Sequence, residues 1–257
     1  MLKTRGMVIF FIAAGTVLFI LTYFFTYASV NGAATVSQNK PIEIELNNAD
    51  RITMDLQRAN VIFYKNKDNR ILITYEPGLY ESVPDYETMK PQVKYSKNEL
   101  RIKMRSSDHI PTINIYIPSS LKHVTVLHEE GSLLFNDDCT YGLTVEGKKS
   151  EVKINYIRSL LNINVAEGNV TVLKGFLPKG SGIKVKIGNI RLCALLDDGD
   201  YTFSTDYGNI DFKSGTEGIV LAPLGYTLKN EFPTYTAGNV FVTLDSKVGS
   251  ISALAEF

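Results

Sequence analysis

The sequence predicts an all-β protein, a β-solenoid of stacked two-strand coils of about 20 residues, behind one N-terminal transmembrane helix. Three observations carry this. Gly-Asn-hydrophobic recurs at Gly168-Asn169-Val170, Gly188-Asn189-Ile190 and Gly208-Asn209-Ile210, twenty residues apart. Lys149-Ser150-Glu151-Val152 and Gly131-Ser132-Leu133 continue the series backwards at intervals of 18 and 19. Each hit is flanked by short stretches that alternate apolar and polar, and a fixed period of this size is the mark of a stacked repeat. The third observation is an uncharged run from Gly6 to Asn39.

Residues 1–6 carry Lys3 and Arg5 and form a short cytoplasmic N-terminus. Residues 7–29 are the predicted span. Met7 to Tyr27 reads MVIFFIAAGTVLFILTYFFTY, and a helix of that length crosses roughly 30 Å, the thickness of a bilayer core. It is longer than the apolar region of an ordinary secretory signal, which favours an uncleaved anchor over cleavage after Ala34. Positive charge ahead of the span and none until Lys40 places the N-terminus in the cytoplasm and the C-terminal part outside. The span holds no ionisable residue and no Gly-x-x-x-Gly, so its expected role is to hold the rest on a lipid bilayer. Residues 30–40 are a polar linker.

Residues 41–120 read as an N-terminal strand module. Ile42, Ile44 and Leu46 alternate with acids, as do Ile52, Met54 and Leu56 with Thr53 and Asp55, which is the pattern of strands with one buried face. Residues 76–91 break the pattern around Pro84 and form an insertion loop. Its Tyr80 and Tyr86 are the candidate partner contacts, because insertions in such folds often carry binding. Val93 to Met104 forms a hairpin, and Ile113, Ile115 and Ile117 end at Pro118.

Residues 121–213 hold the regular coils. Their inward positions in the first strand are Val124 and Val126, Leu143 and Val145, Ile163 and Val165, Ile183 and Val185, Tyr201 and Phe203. In the second they are Leu133 and Phe135, Val152 and Ile154, Val170 and Val172, Ile190 and Leu192, Ile210 and Phe212. The turn residues Gly, Asn and Ser suit a position needing positive φ. Residues 214–257 have looser spacing and read as irregular terminal coils and a cap, which an open stack requires to protect its strand edges.

With these elements in place the chain resembles the putative-adhesin family of bacterial β-solenoid domains. The residues that carry the likeness are the strand–turn–strand Ile52 to Tyr75, the strand Ile113-Asn114-Ile115-Tyr116-Ile117-Pro118 and the tandem turns at Gly131, Gly168, Gly188 and Gly208. That family usually has Ser-Gly-Asp at these turns, where this chain has Gly-Asn or Gly-Ser. The resemblance implies surface display and adhesion.

Composition excludes some functions. Basic and acidic residues number 27 each, and removing Lys3 and Arg5 leaves a slightly acidic exterior, so no basic field supports nucleic-acid binding. No Walker or Rossmann fingerprint and no recognisable nucleophile constellation is present. His109, His123 and His128 lack metal spacing and read as surface or rim residues. Asp197, Asp198 and Asp200 form the densest acidic cluster. A solvated turn, a calcium site and paired carboxylates acting on polysaccharide are its three readings. Cys139 and Cys193 fall at different places in their coils and read as reduced core or rim residues, with a single bridge between them as the alternative. Asn169-Val170-Thr171 is a glycosylation sequon within a repeat turn. No catalytic, cofactor-binding or metal residue is therefore assigned. The expected function is a non-catalytic, membrane-anchored structural or protein-interaction module of adhesin type. The alternatives are an accessory subunit of a membrane complex and, more remotely, a surface polysaccharide enzyme.

Overall fold

The period-2 segments become strands because alternate side chains leave the backbone on opposite faces, so Ile, Val and Phe at every second position generate one apolar face. The computed structural model describes residues 41–76, 90–105, 110–232 and 238–255. The chain divides into units Met1–Lys40 and Pro41–Phe257, and the second is described here. Its early strands are β1 (Ile42–Glu45), β2 (Arg51–Arg58), β3 (Asn60–Asn66), β4 (Arg70–Glu76), β5 (Gln92–Ser96), β6 (Glu99–Met104) and β7 (Thr112–Pro118). Two long strands follow, β8 (His123–Cys139) and β9 (Gly142–Ile157). Then come β10 (Leu161–Glu167), β11 (Val170–Leu177), β12 (Gly182–Ile187), β13 (Ile190–Leu196), β14 (Gly199–Tyr207), β15 (Ile210–Lys213), β16 (Ile219–Asn230) and β17 (Val240–Leu254).

The solenoid expectation is corrected. Strands β9, β10, β12, β14, β17, β15, β13 and β11 pair in that order, every pair is parallel, and β11 returns to β9. This closes an eight-stranded parallel β-barrel with the remaining strands outside it. The spacing of the sequence identifies stacked neighbours, such as Ile163 on Ile183 and Val170 on Ile190. It is silent on whether a strand stops at the corner. Two short strands per coil were expected throughout, but β9 and β17 run through their corners unbroken and hydrogen-bond in both columns. They tie the columns together at both ends of the ring.

Outside the ring, β8 pairs with β9 on one side and with β2 and β3 on the other. Antiparallel pairs β1–β4, β4–β7 and β5–β6 finish that end. The free edges there are short and charged, which discourages pairing with other chains. The predicted span at residues 7–29 lies outside the described residues. Among the described residues there is no helix, and so none long and apolar enough to cross a membrane.

The core is two apolar columns. Met54, Val126, Val145, Ile163, Ile183, Phe203 and Leu244 stack in register in one. Phe63, Phe135, Ile154, Val172, Leu192 and Phe212 stack in the other. All are buried, and each such side chain contributes about 1.5–3 kcal/mol relative to exposure. Phe63 stacks on Phe135 at 4.4 Å, and Phe232 covers Phe212 at 5.7 Å near the C-terminal end. All inward positions named from the sequence in both columns are buried. Their register differs in one place: Val165 and Val185 stack on Gly147 and Thr205, one pleat further along than the Val145 and Phe203 rungs.

Candidate functional site: an outer groove over a closed Ser–His pair

The corner that follows the first column sets the site. Gly188 and Gly208 take φ of 140° and 155°, and a Cβ on either would sit 1.9 Å from the carbonyl oxygen of the glycine one coil earlier. The neighbouring asparagines do not share this backbone conformation. They form a ladder instead. Asn169 Oδ1 accepts from the Asn189 backbone N–H and from Asn189 Nδ2, both at 2.9 Å. Asn189 Oδ1 accepts from the Asn209 N–H at 2.8 Å, and Asn209 Oδ1 from the N–H and hydroxyl of Ser250 at 2.9 Å. Asn169 Nδ2 donates to Glu151. The sequon asparagine is thus the first member of this ladder.

The corner carbonyls need donors. Thr205 Oγ1 donates to Gly188 O and Ser246 Oγ to Gly208 O, each at 2.8 Å. His128 occupies the same register position in β8 and bonds Ala59 O through Nε2 at 3.0 Å. A carbonyl only accepts, so Nε2 carries the proton and Nδ1 accepts from Ser150 Oγ at 2.7 Å. Burial pushes the His128 imidazole below its ordinary value, with the Ala59 bond opposing. This Ser–His–carbonyl chain has the elements of an activated nucleophile. Ser150 is 1% exposed and His128 3%, so no substrate reaches either, and the chain is a corner brace. The expectation that His128 lies on the surface or rim is corrected. Its ring points inward because it stacks between Leu56 and Gly147. His123 is half-buried and bonds Thr144 Oγ1, while His109 lies outside the described residues.

Above this brace the outer face of β9, β10, β12 and β14 is hollowed. A groove of about 540 Å³ is lined in part by Ala166, Lys184 and Lys186, and it adjoins a second depression of about 350 Å³. The two share Glu146, Asn164 and Lys184. Small residues between long ones create the hollow. Along one rung Thr144, Asn162, Gly182 and Thr202 lie side by side, and along the next Glu146, Asn164, Lys184 and Ser204. Three of the acids lining it are neutralised: Asp55 by Lys103 at 2.9 Å, Glu129 by Lys148 at 2.7 Å and Asp206 by Lys247 at 2.7 Å. The Lys247 ammonium, helped by Lys184 and Lys186, holds the Asp206 carboxyl below its ordinary value. Lys184, Lys186 and Glu146 form no ion pair with another described residue.

The predicted candidates do not converge here. Tyr80 and Tyr86 lie outside the described residues. Asp197 makes a turn: its carboxylate accepts the Asp198 N–H at 3.0 Å, and its carbonyl accepts from Tyr201 OH at 2.8 Å. Asp198 accepts from Asn239. Among the described residues no group of three or more His, Cys, Asp or Glu is placed to hold a metal. Cys139 is buried, Cys193 half-buried, and both are free thiols. Sequence reasoning missed the groove. Its signal was present, since Ala166 occupies an outer position where the neighbouring strands carry Lys148, Lys186 and Asp206. A separate stripe of exposed apolar residues, Ile187, Tyr207 and Val248, stacks along the corner toward β17.

No family model matches the chain, and no curated protein is similar to it in sequence. Among solved structures it is similar to a putative adhesin from Parabacteroides distasonis ATCC 8503, with a TM-score of 0.52 and 12% identity over 84% of this chain and 96% of that one. A putative adhesin from Bacteroides fragilis NCTC 9343 gives a TM-score of 0.47 and 16% identity over 84% and 98%. A putative cell adhesion protein from Clostridium sporogenes ATCC 15579 gives 0.36 and 15% over 83% and 99%. The likeness to the Parabacteroides protein is one of fold.

Proposed function

We propose that the protein is a non-catalytic binding module of adhesin type, held on a membrane through residues 7–29 with its N-terminus cytoplasmic and the barrel on the other side. The observation that carries this reading is the groove itself. It offers hydrogen-bonding side chains along four strands, while the one Ser–His pair beneath it is closed to solvent. Pre-formed concave surfaces with a few convergent polar groups are the usual form of a ligand site. The fold shared with a protein named as an adhesin agrees with it. A photo-crosslinking residue at Ala166, in the full-length protein in its own membrane, is expected to capture a partner that the same residue at Arg191, in β13, does not. Equal capture at both positions, or none at 166, overturns the assignment of the binding face.

The stripe Ile187–Tyr207–Val248 favours a second reading, that of an accessory subunit. Side chains 47%, 55% and 57% exposed in consecutive coils suit a permanent protein contact better than a free surface. A discrete large assembly surviving detergent extraction supports the subunit reading, and a particle of monomer mass removes it.

A further inference from the structure

We propose that the outer groove binds a linear anionic polysaccharide, with its acidic groups seated at Lys184 and Lys186. This rests on the reading of the groove as the binding face. With three acids already neutralised, the free charges are Glu146 against two lysines, so the groove is electropositive over β12. Lys184 and Lys186 are two residues apart on one strand, exposed, and on the same side of the sheet, roughly 7 Å apart at the backbone. Asn162, Asn164, Thr202 and Ser204 add amides and hydroxyls to the lining, beside the apolar Leu127, Val165 and Ala166. These polar groups can pair with a hydroxyl-rich chain. The strands lie about 4.8 Å apart, close to the length of one pyranose unit, so a sugar chain crossing from β9 to β14 sets one unit over β12, where Lys184 and Lys186 flank its acidic group, with Asn164 and Ser204 on the strands either side. No Phe, Tyr or Trp side chain lines either depression. Affinity therefore depends on charge, and salt weakens it.

The test uses the full chain in detergent with alginate, a linear polyuronate, and dextran as the neutral probe. Alginate binding is expected, falling with added salt and by about tenfold or more in K184Q/K186Q, the scale of one or two charge-assisted hydrogen bonds. Both residues are exposed, so an unchanged urea midpoint shows that the variant is folded. Native protein that ignores alginate, or K184Q/K186Q that binds it as tightly, overturns the inference. Dextran bound in preference to alginate, and blocked by A166W, overturns the anionic specificity while leaving the groove as the binding face. Alginate binding that survives A166W removes the groove from both readings.

Discussion

Replacing Gly188 by alanine tests the account of the corner. At φ 140° an L side chain is strained, which costs about 1–3 kcal/mol. The new Cβ also lies 1.9 Å from Gly168 O and 2.7 Å from its carbonyl carbon. Backbone cannot rotate away as a side-chain tip does, so the two coils must separate locally. That strains the bonds joining those two coils, from the Gly168 N–H to Ile187 O and from the Val170 N–H to Asn189 O, both 2.9 Å, each worth about 1 kcal/mol. The sum is about 3–5 kcal/mol. Gly180 is the control: its φ is 87°, yet the nearest atom to an added Cβ is Leu160 Cδ1 at 3.8 Å. Gly180→Ala meets the conformational cost alone, about 1 kcal/mol. The chain has no tryptophan, so urea unfolding is followed by far-ultraviolet circular dichroism, with stability read from the midpoint at constant slope. Equal midpoints for the two variants would refute the argument that close approach of successive corners, rather than φ, makes these glycines obligatory.

Two other predictions follow from buried groups. Because burial lowers the folded pKa of His128 below 6.5, the unfolded chain binds the extra proton first. The unfolding free energy is then full above about pH 6.5 and falls as the pH drops toward the folded value. His123 shifts in the same direction, through burial and then Arg51, so His128→Gln should shallow this slope without abolishing it. An unaltered slope across pH 5–7 in that variant removes His128 from the account. Burial also pushes the Cys139 thiol up to about 12, while Cys193 is half-buried. Iodoacetamide at pH 8 is expected to label about one thiol per native chain and two in urea; two thiols reacting at similar native rates would contradict the burial of Cys139.

The inward residues were legible because alternation and the twenty-residue spacing both report burial, from Val124 through Phe212. Ring closure was not. It depends on β17, which pairs with β14 and β15 at sequence offsets near 40, as in Thr202 with Thr243 and Ile210 with Ile251. The inserted β16 hides that spacing. The asparagines were read through their tolerance of positive φ, a property of one residue. Their actual role is a contact between residues twenty apart, Asn169 to Asn189 to Asn209. His128 was placed near the surface since its polarity says nothing about the corner carbonyl that it satisfies. The groove depends on the absence of side-chain bulk at Ala166, and pattern matching looks for what is present.

The matched turns have one more consequence. Excising residues 189–208 would join Gly188 directly to Asn209 and restore a Gly-Asn-Ile corner. The deletion removes β13 and β14, one strand from each column. It would bring Ile183 against Leu244 and Leu192's partners Val172 and Phe212 against each other, apolar on apolar. The barrel would then close with six strands. Circumference and chain length are therefore coupled in steps of twenty residues, and an insertion of any other length at these corners would throw the two columns out of phase.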